Sequence, residues 1–396
     1  MVIAQLRAVG WRNLAPLDLA FDPGVALNVL HGQNGQGKTN LLEALYFLAT
    51  FRSFRTTQAA DLVRHDAGEA RIAVDLVTRD LRRVVEARLV RDARGAAAGT
   101  ASVSRAIHVD GKLVRRASGA FGLVSVVLFV PDDLALARAA PAARRRFLDM
   151  AIAGLTPGYF AEVATFQRVL RSRNALLRGA GGTGGATPSA TWLETLDEQL
   201  ARAGARLVVR RRELVVDMGP AVQSFFRALH GDVPVALAYE CDDETAAAAG
   251  EAEITAALLA GLGRRRAVDL RRRHTTFGPQ TDDLGLRMAG RPAREHASQG
   301  QLRSLMLALK LAELALLRQK RDEPPILLLD DVPSELDPER RRFLFETLAT
   351  LGCQTVLSVA DRTVVPAGPA RADFRVAGGV VAAEARGPDF TLLPQV

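Results

Sequence analysis

The spacing of hydrophobic positions changes period several times along the chain, and the changes divide it. Val25 to Leu30 is a short apolar run suited to a buried strand, and the glycine-rich loop His31 to Gly37 follows at once. Beyond the loop, Leu41, Leu42, Leu45 and Leu48 recur at helical spacing, which predicts a helix with one apolar face. Between Arg71 and Arg91 the period drops to two, through Ile72, Val74 and Leu76 and then Val84 to Val90, the pattern of antiparallel strands. Asp110-Gly111 is a hairpin turn signal, and Ser125 to Val130 reads as a buried strand stopped by Pro131.

From about Pro131 to about Leu270 strand signals mostly disappear. Helical periodicity takes over, as in Arg144 to Ile152 and Phe166 to Leu177. Gly179 to Ala190 is a glycine-rich linker, and the helical pattern from Trp192 is predicted to break at Gly219-Pro220. After Leu270 the α/β character returns. Ser298-Gln-Gly-Gln301 opens a helix with Leu302, Leu305, Met306 and Leu309 on its inner side, and Pro324-Pro325 lead into the apolar strand Ile326 to Asp331. Gln354 to Val359 is another buried strand, and the last residues read as a loose β tail. No internal repeat or sustained heptad is present. The expected organisation is an α/β lobe built from residues 1–130 and 271–396, with residues 131–270 inserted as a smaller helical lobe.

The chemistry concentrates in two places. Gly32-Gln33-Asn34-Gly35-Gln36-Gly37-Lys38-Thr39 fits G-x-x-x-x-G-K-[ST] at every defined position, between a strand and a helix. Glycines let the backbone curl so that successive N–H groups point inward, and the helix start adds its positive end. Lys38 is placed to reach the β- and γ-phosphates of a nucleotide and the Thr39 hydroxyl to ligate Mg²⁺, and Asn40 is counted with the nucleotide-binding residues. The strand Ile326 to Asp331 delivers Asp330 at its carboxyl end, where open α/β sheets bind ligands. Asp330 is the expected Mg²⁺-side carboxylate, and Asp331 the candidate for orienting the attacking water.

Ser298-Gln-Gly-Gln301 stands 32 residues before Asp330, and Ser334-Glu-Leu-Asp337 just after it. Lysine loop, S-x-G-Q helix start, carboxylate strand, S-x-L-D: this is the order of ATP-binding-cassette ATPases. The chain closely resembles the RecF family of recombinational DNA-repair ATPases over nearly its whole length. The resemblance is carried by Gly32 to Ala44, Ser53-Phe-Arg-Thr56, Arg144 to Asp149, Arg173-Asn-Ala-Leu-Leu177, Ala297 to Gln301, Leu328 to Val332 and Ser334 to Asp337.

The resemblance implies an ABC-type P-loop ATPase head, like those of chromosome-maintenance and break-repair ATPases, with an inserted α-helical lobe. It implies an ATP-dependent homodimer in which Ser298, Gly300, Gln301 and Asp337 of one copy meet the ATP held by the other. It implies binding to DNA at junctions of single and double strand, recombinase loading with the RecO and RecR proteins, and a part in SOS induction. Two departures stand out: Gly278-Pro-Gln-Thr-Asp-Asp283 where the family usually has Gly-Pro-His-Arg-Asp-Asp, and Ala360-Asp361 where it commonly has threonine and aspartate; transporter-type cassettes have a histidine near this point, and its absence predicts slow ATP turnover.

Charge fits a polyanion partner. The formal net charge is +8, and residues 1–130 hold 17 basic against 11 acidic side chains. Codon bias is an alternative source of the excess, since only four of the 52 basic residues are lysine. Candidate DNA contacts are Arg52, Arg55, Arg64, Arg82, Arg83, Arg115 and Arg116, with further clusters at 144–146, 210–212, 264–266 and 271–273. With 5% aromatic residues, stacking on an aromatic platform is not expected. No apolar run reaches 18 residues, no signal-peptide pattern opens the chain, and two cysteines (Cys241, Cys353) support neither a disulfide framework nor a cysteine metal site. A cytoplasmic protein without membrane partners is therefore expected, with all six histidines structural. Two other functions compete with a DNA-bound ATPase: the energising ATPase subunit of a transporter, and a basic DNA-binding protein whose nucleotide site is vestigial.

Overall fold

The computed structural model describes residues 1–78, 81–91, 103–115, 120, 122–179, 189–321, 323–367 and 371–384. Arg116, residues 180–188 of the glycine-rich linker and the tail from residue 385 lie outside the described residues. The chain forms two compact units, Met1–Asp133 with Leu317–Val396, and Leu134–Leu316.

The first unit holds two six-stranded sheets. One is antiparallel, ordered β2-β1-β4-β5-β6-β7, from β1 (Val2–Val9), β2 (Leu17–Ala20), β4 (Glu69–Val77), β5 (Arg82–Arg91), β6 (Val103–Val109) and β7 (Lys112–Leu113). The other is ordered β15-β14-β3-β13-β12-β8, from β3 (Leu27–His31), β8 (Val126–Phe129), β12 (Ile326–Asp330), β13 (Thr355–Val359), β14 (Arg371–Ala377) and β15 (Val380–Ala383). Its pairs are parallel except at the β15 edge. Continuous apolar runs such as Ile326 to Leu329 are fully buried, as strands covered on both faces require.

Helix α1 (Lys38–Thr50) packs against β12 and β13 of the second sheet and β4 and β5 of the first. Leu41 to Thr50 are accordingly all buried, so α1 has no solvent face where the leucine spacing predicts a single apolar one. The Gln354 side chain ties the layers together, accepting from Ile3 N–H at 2.6 Å and donating to Ile3 C=O at 3.0 Å. Helix α9 (Pro338–Leu351) joins β12 to β13.

The second unit is mainly helical, with α2 (Pro141–Leu155), α3 (Tyr159–Gly179), α4 (Ala190–His230), α5 (Asp243–Ala247), α6 (Glu251–Arg272) and α7 (Ala293–His296). A small antiparallel sheet, β11-β10-β9, accompanies them, from β9 (Val235–Glu240), β10 (Asp283–Met288) and β11 (Arg291–Pro292). Strand β9 lies inside the stretch that periodicity reads as helical, and it pairs with β10 over Val235 to Glu240. Helix α8 (Gln299–Lys320) carries the chain back into the first unit.

The predicted break at Gly219-Pro220 does not occur: α4 runs through Pro220. Proline removes one backbone donor, but tertiary anchors beyond it keep the helix going. Val222 and Phe226 are buried, and the Gln223 side chain accepts from Val235 N–H at 2.7 Å.

Candidate nucleotide-binding site

Strand β3 ends at His31 and the loop turns immediately through Gly32 (φ 145°), Gly35 (φ 81°) and Gly37 (φ 118°), conformations that side chains resist. A Cβ on Gly32 would stand 2.2 Å from the Val376 carbonyl oxygen, so backbone approaches backbone there and only glycine fits. The rest of the loop is braced from outside. Asn13 Nδ2 donates to Gly35 C=O at 3.2 Å, Gly379 N–H to Gln36 C=O at 3.0 Å, and Gly378 N–H to Gln36 Oε1 at 2.6 Å.

Lys38 opens α1 and folds back over the loop, its Nζ donating to the carbonyls of Gly32 (2.5 Å) and Gln33 (2.9 Å). Burial pushes its pKa below the ordinary lysine value, while the carboxylates of Asp331 and Asp330 pull the other way. Thr39 Oγ1 donates to Asp330 Oδ1 at 2.9 Å, and Ser358 Oγ donates to the same oxygen at 2.6 Å. Asp331 takes a left-handed conformation (φ 54°) that turns the chain out of the sheet. Its Oδ1 accepts from Ser334 Oγ at 2.6 Å, and its N–H donates to Ser358 C=O at 3.0 Å.

A hydroxyl beside a carboxylate is a hard-oxygen donor pair, so Thr39 and Asp330 fit Mg²⁺. Among the described residues no group of three or more His, Cys, Asp or Glu could hold a metal unaided. The remaining ligands would then be phosphate oxygens and water, the usual arrangement for this ion at nucleotide sites.

Lys38, Thr39, Asp330 and Asp331 thus come together within the first unit. Asp337 is the N-cap of α9, its Oδ1 accepting from Arg340 N–H at 3.0 Å, and it pairs with the Arg340 guanidinium. Ser298, Gly300 and Gln301 belong to the second unit, at the start of α8. Ser298 Oγ accepts from Gln301 N–H at 3.2 Å and Gln301 Oε1 from Ser298 N–H at 2.8 Å, a reciprocal cap.

Sequence reasoning missed Asn13 and Ser358, and gave Glu43 and Ser53 no role of their own. Asn13 and Ser358 brace the site, and a buried Glu43 on α1 accepts both Arg12 (2.7 and 2.8 Å) and Ser53 Oγ (2.5 Å). Asn40 reaches Asn13 Oδ1 at 2.7 Å and accepts from Arg55 at 2.6 Å. A serine at the carboxyl end of an otherwise apolar strand, in register with Asp330, was the one signal available for Ser358.

Most arginine clusters proposed for DNA are engaged. Arg144 is buried and bidentate to Asp283 (2.8 and 2.6 Å), Arg211 is buried against Asp149, and Arg212 donates to the carbonyls of Thr245 and Ala248. Arg64 pairs with Asp66, Arg82 with Asp75, Arg210 with Glu213, and Arg264 with Glu244. Gln280 and Thr281, where the family pattern has His-Arg, close their own turn by donating to Phe277 C=O (2.9 Å) and Gly278 C=O (2.7 Å).

Residues 2–368 match the family described as RecF/RecN/SMC N terminal domain. A DNA replication and repair protein RecF from Anaeromyxobacter sp. (strain Fw109-5) is 41% identical over 385 residues, covering 96% of this chain and 99% of that protein. The chain belongs to the RecF family. A solved structure of the recombination mediator protein RecF with ATP, in the RecFOR pathway, superposes with a TM-score of 0.85 at 27% identity over 97% of each chain. An Smc head bound to the C-winged helix domain of ScpA superposes at 0.54 and 14% identity over 96% of each chain, which is likeness of fold alone. The fold is therefore the α/β ABC-type ATPase head that the RecF resemblance implies. Among the described residues no helix is long and apolar enough to cross a membrane.

Proposed function

We propose that this chain is an ATP-dependent DNA-binding protein of recombinational repair and replication-fork maintenance, working in the cytoplasm. The observation that carries the reading is the Thr39–Asp330 contact at 2.9 Å beneath a lysine loop of the required form, in a RecF-family chain. The loop N–H groups of residues 32–40 and the Lys38 ammonium bind the triphosphate. Mg²⁺, when bound, neutralises charge between the phosphates. Thr39 and Asp330 hold its position, Ser358 fixes the Asp330 carboxylate, and Asp331 orients the attacking water.

Ser298, Gly300, Gln301 and Asp337 serve a second copy of the chain, so that ATP joins two protomers into a homodimer on DNA. The reading extends to slow, weakly DNA-dependent hydrolysis, release of DNA on turnover, preference for junctions of single- and double-stranded DNA, and recombinase loading with RecO and RecR that supports SOS induction. Sedimentation with and without ATP tests it. ATP is expected to shift the wild-type chain from monomer to dimer, and Ser298→Arg to abolish the shift while leaving ATP binding intact. A Ser298→Arg protein that dimerises like wild type refutes the composite site.

A further inference from the structure

One end of the helical unit gathers cations that the fold does not neutralise. Helices α3 and α4 run antiparallel in a register fixed by contacts. Tyr159 and Arg211 meet on Asp149 Oδ1 at 2.6 and 3.0 Å; fourteen residues further along α3, Arg173 Nε donates at 2.6 Å to Asp197, fourteen residues back along α4. Helix α6 runs against α4 in turn. Arg206 meets Glu251 at the start of α6, while Asp197 and Arg173 meet Arg266 and Asp269 near its end, at 3.1 and 2.7 Å.

The end of α3, the start of α4 and the end of α6 therefore share a level. Arg178 and Trp192 each stand five residues beyond the Arg173–Asp197 contact, and Arg271 and Arg272 lie just beyond Asp269. At 1.5 Å per residue all four sit within about 8 Å, along the helix axes, of the same buried contacts. Arg171 lies on the same stretch of α3.

Arg171, Arg178, Arg271 and Arg272 are exposed, and their side chains have no ion pair or hydrogen bond among the described residues. The neighbouring acids are committed: Asp197 and Asp269 to Arg173, and Glu194 to Arg266. Residues 180–188 contain no carboxylate. Arg173 and Arg266 answer three carboxylates, the ends of α3 and α6 add about half a negative charge each and the start of α4 about half a positive one, leaving a surplus of between about two and three positive charges. Among them Trp192 is 68% exposed, whereas the other tryptophan, Trp11, is 0% exposed. Around Trp192, Ser189, Thr191 and Thr195 are exposed as well, so the ring is not part of an apolar patch of the kind a protein partner covers.

We propose that this end of the helical unit is a nucleic-acid contact surface, with the four arginines on phosphates and Trp192 stacked on an unpaired base. The proposal rests on the DNA-binding reading above and assigns part of that binding to single-stranded DNA. Arginine suits phosphate, and an isolated exposed indole suits a splayed base better than a duplex groove.

Tryptophan emission provides the test, because Trp11 is sealed in the core. Short oligothymidine is expected to quench the wild-type protein, and Trp192→Ala to abolish the quench and weaken binding by between about fivefold and a hundredfold. Arg178→Glu with Arg271→Glu is expected to weaken binding at least about tenfold at low salt and to lower the slope of log affinity against log salt by about one or more. ATP-induced dimerisation, read by sedimentation, is expected to survive in both proteins, which shows that they fold. Wild-type affinity in both variants overturns the surface but leaves the proposed function standing. Failure of the wild-type chain to bind any DNA removes the two together.

Discussion

Ser358→Ala isolates the part of the site that only the structure reveals. Ser358 is 1% exposed, and its hydroxyl donates to Asp330 Oδ1 at 2.6 Å. Hydrogen bonds to a charged acceptor contribute about 1.5–3 kcal/mol. Thr39 remains as a second donor at 2.9 Å, so the carboxylate is loosened rather than orphaned. The expected stability loss is about 2 kcal/mol, a melting-temperature drop of about 4–8 °C for a unit of this size. Removing a group that orients a metal ligand costs about 10–100-fold in metal affinity. Titration of a fluorescent ATP analogue should therefore show weakened binding when Mg²⁺ is present and near-normal binding when it is chelated. A double-mutant cycle with Asp330→Asn decides whether the pair acts as a unit: a coupling of about 1–2 kcal/mol in the melts is expected. Additivity within about 0.5 kcal/mol, or equal weakening with and without Mg²⁺, would refute the positioning role.

Two further expectations concern the second unit. Arg173 is 0% exposed and bonded to Asp197 and Asp269, so Arg173→Met leaves two buried carboxylates short of a partner and should cost about 3–5 kcal/mol, read by chemical denaturation. Burial pushes the Asp282 carboxyl up to about 6, against the opposing pull of the Tyr239 hydroxyl and of Arg211, Arg145 and Arg212. A raised folded value means that the native state holds the proton where the unfolded chain has lost it. The associated stability is complete below about pH 4 and fades as the pH rises through 6, by up to about 3 kcal/mol. Asp282→Asn should flatten that decline, and an unchanged slope between pH 4 and 6 would show that Asp282 does not titrate there.

Local signals suffice to place the lysine loop because its pattern is local: glycines, a lysine and a threonine stand at fixed spacing on a helix start. The same holds for Asp330, carried on a strand apolar enough to be recognised. What escaped is long-range. Ser358 meets Asp330 through the parallel pairing of β12 with β13, and Asn13 meets Gly35 across 22 residues of chain. Pro220 misled because a local rule was applied where anchors such as Phe226 and Gln223 outweigh one missing donor. The arginine clusters could not be sorted for a related reason: composition does not separate Arg144, which is locked on an aspartate, from Arg271 and Arg272, which have no side-chain partner among the described residues.

The contacts that each phosphate-facing group makes within one chain bear on how a switch could work. Lys38 spends two of its three donors on the loop's own carbonyls, Thr39 donates its proton to Asp330, and Ser298 accepts from Gln301 N–H. None of these uses up the capacity a nucleotide needs. A hydroxyl that donates keeps its lone pairs for a metal, and one that accepts keeps its proton for an oxyanion. Lys38 exchanges two neutral carbonyls for charged phosphate oxygens, a stronger acceptor class. On the proposed reading, binding would replace these internal bonds by stronger ones. On that same reading, an interface that Ser298 completes on a partner's ATP would come apart when the terminal phosphate leaves.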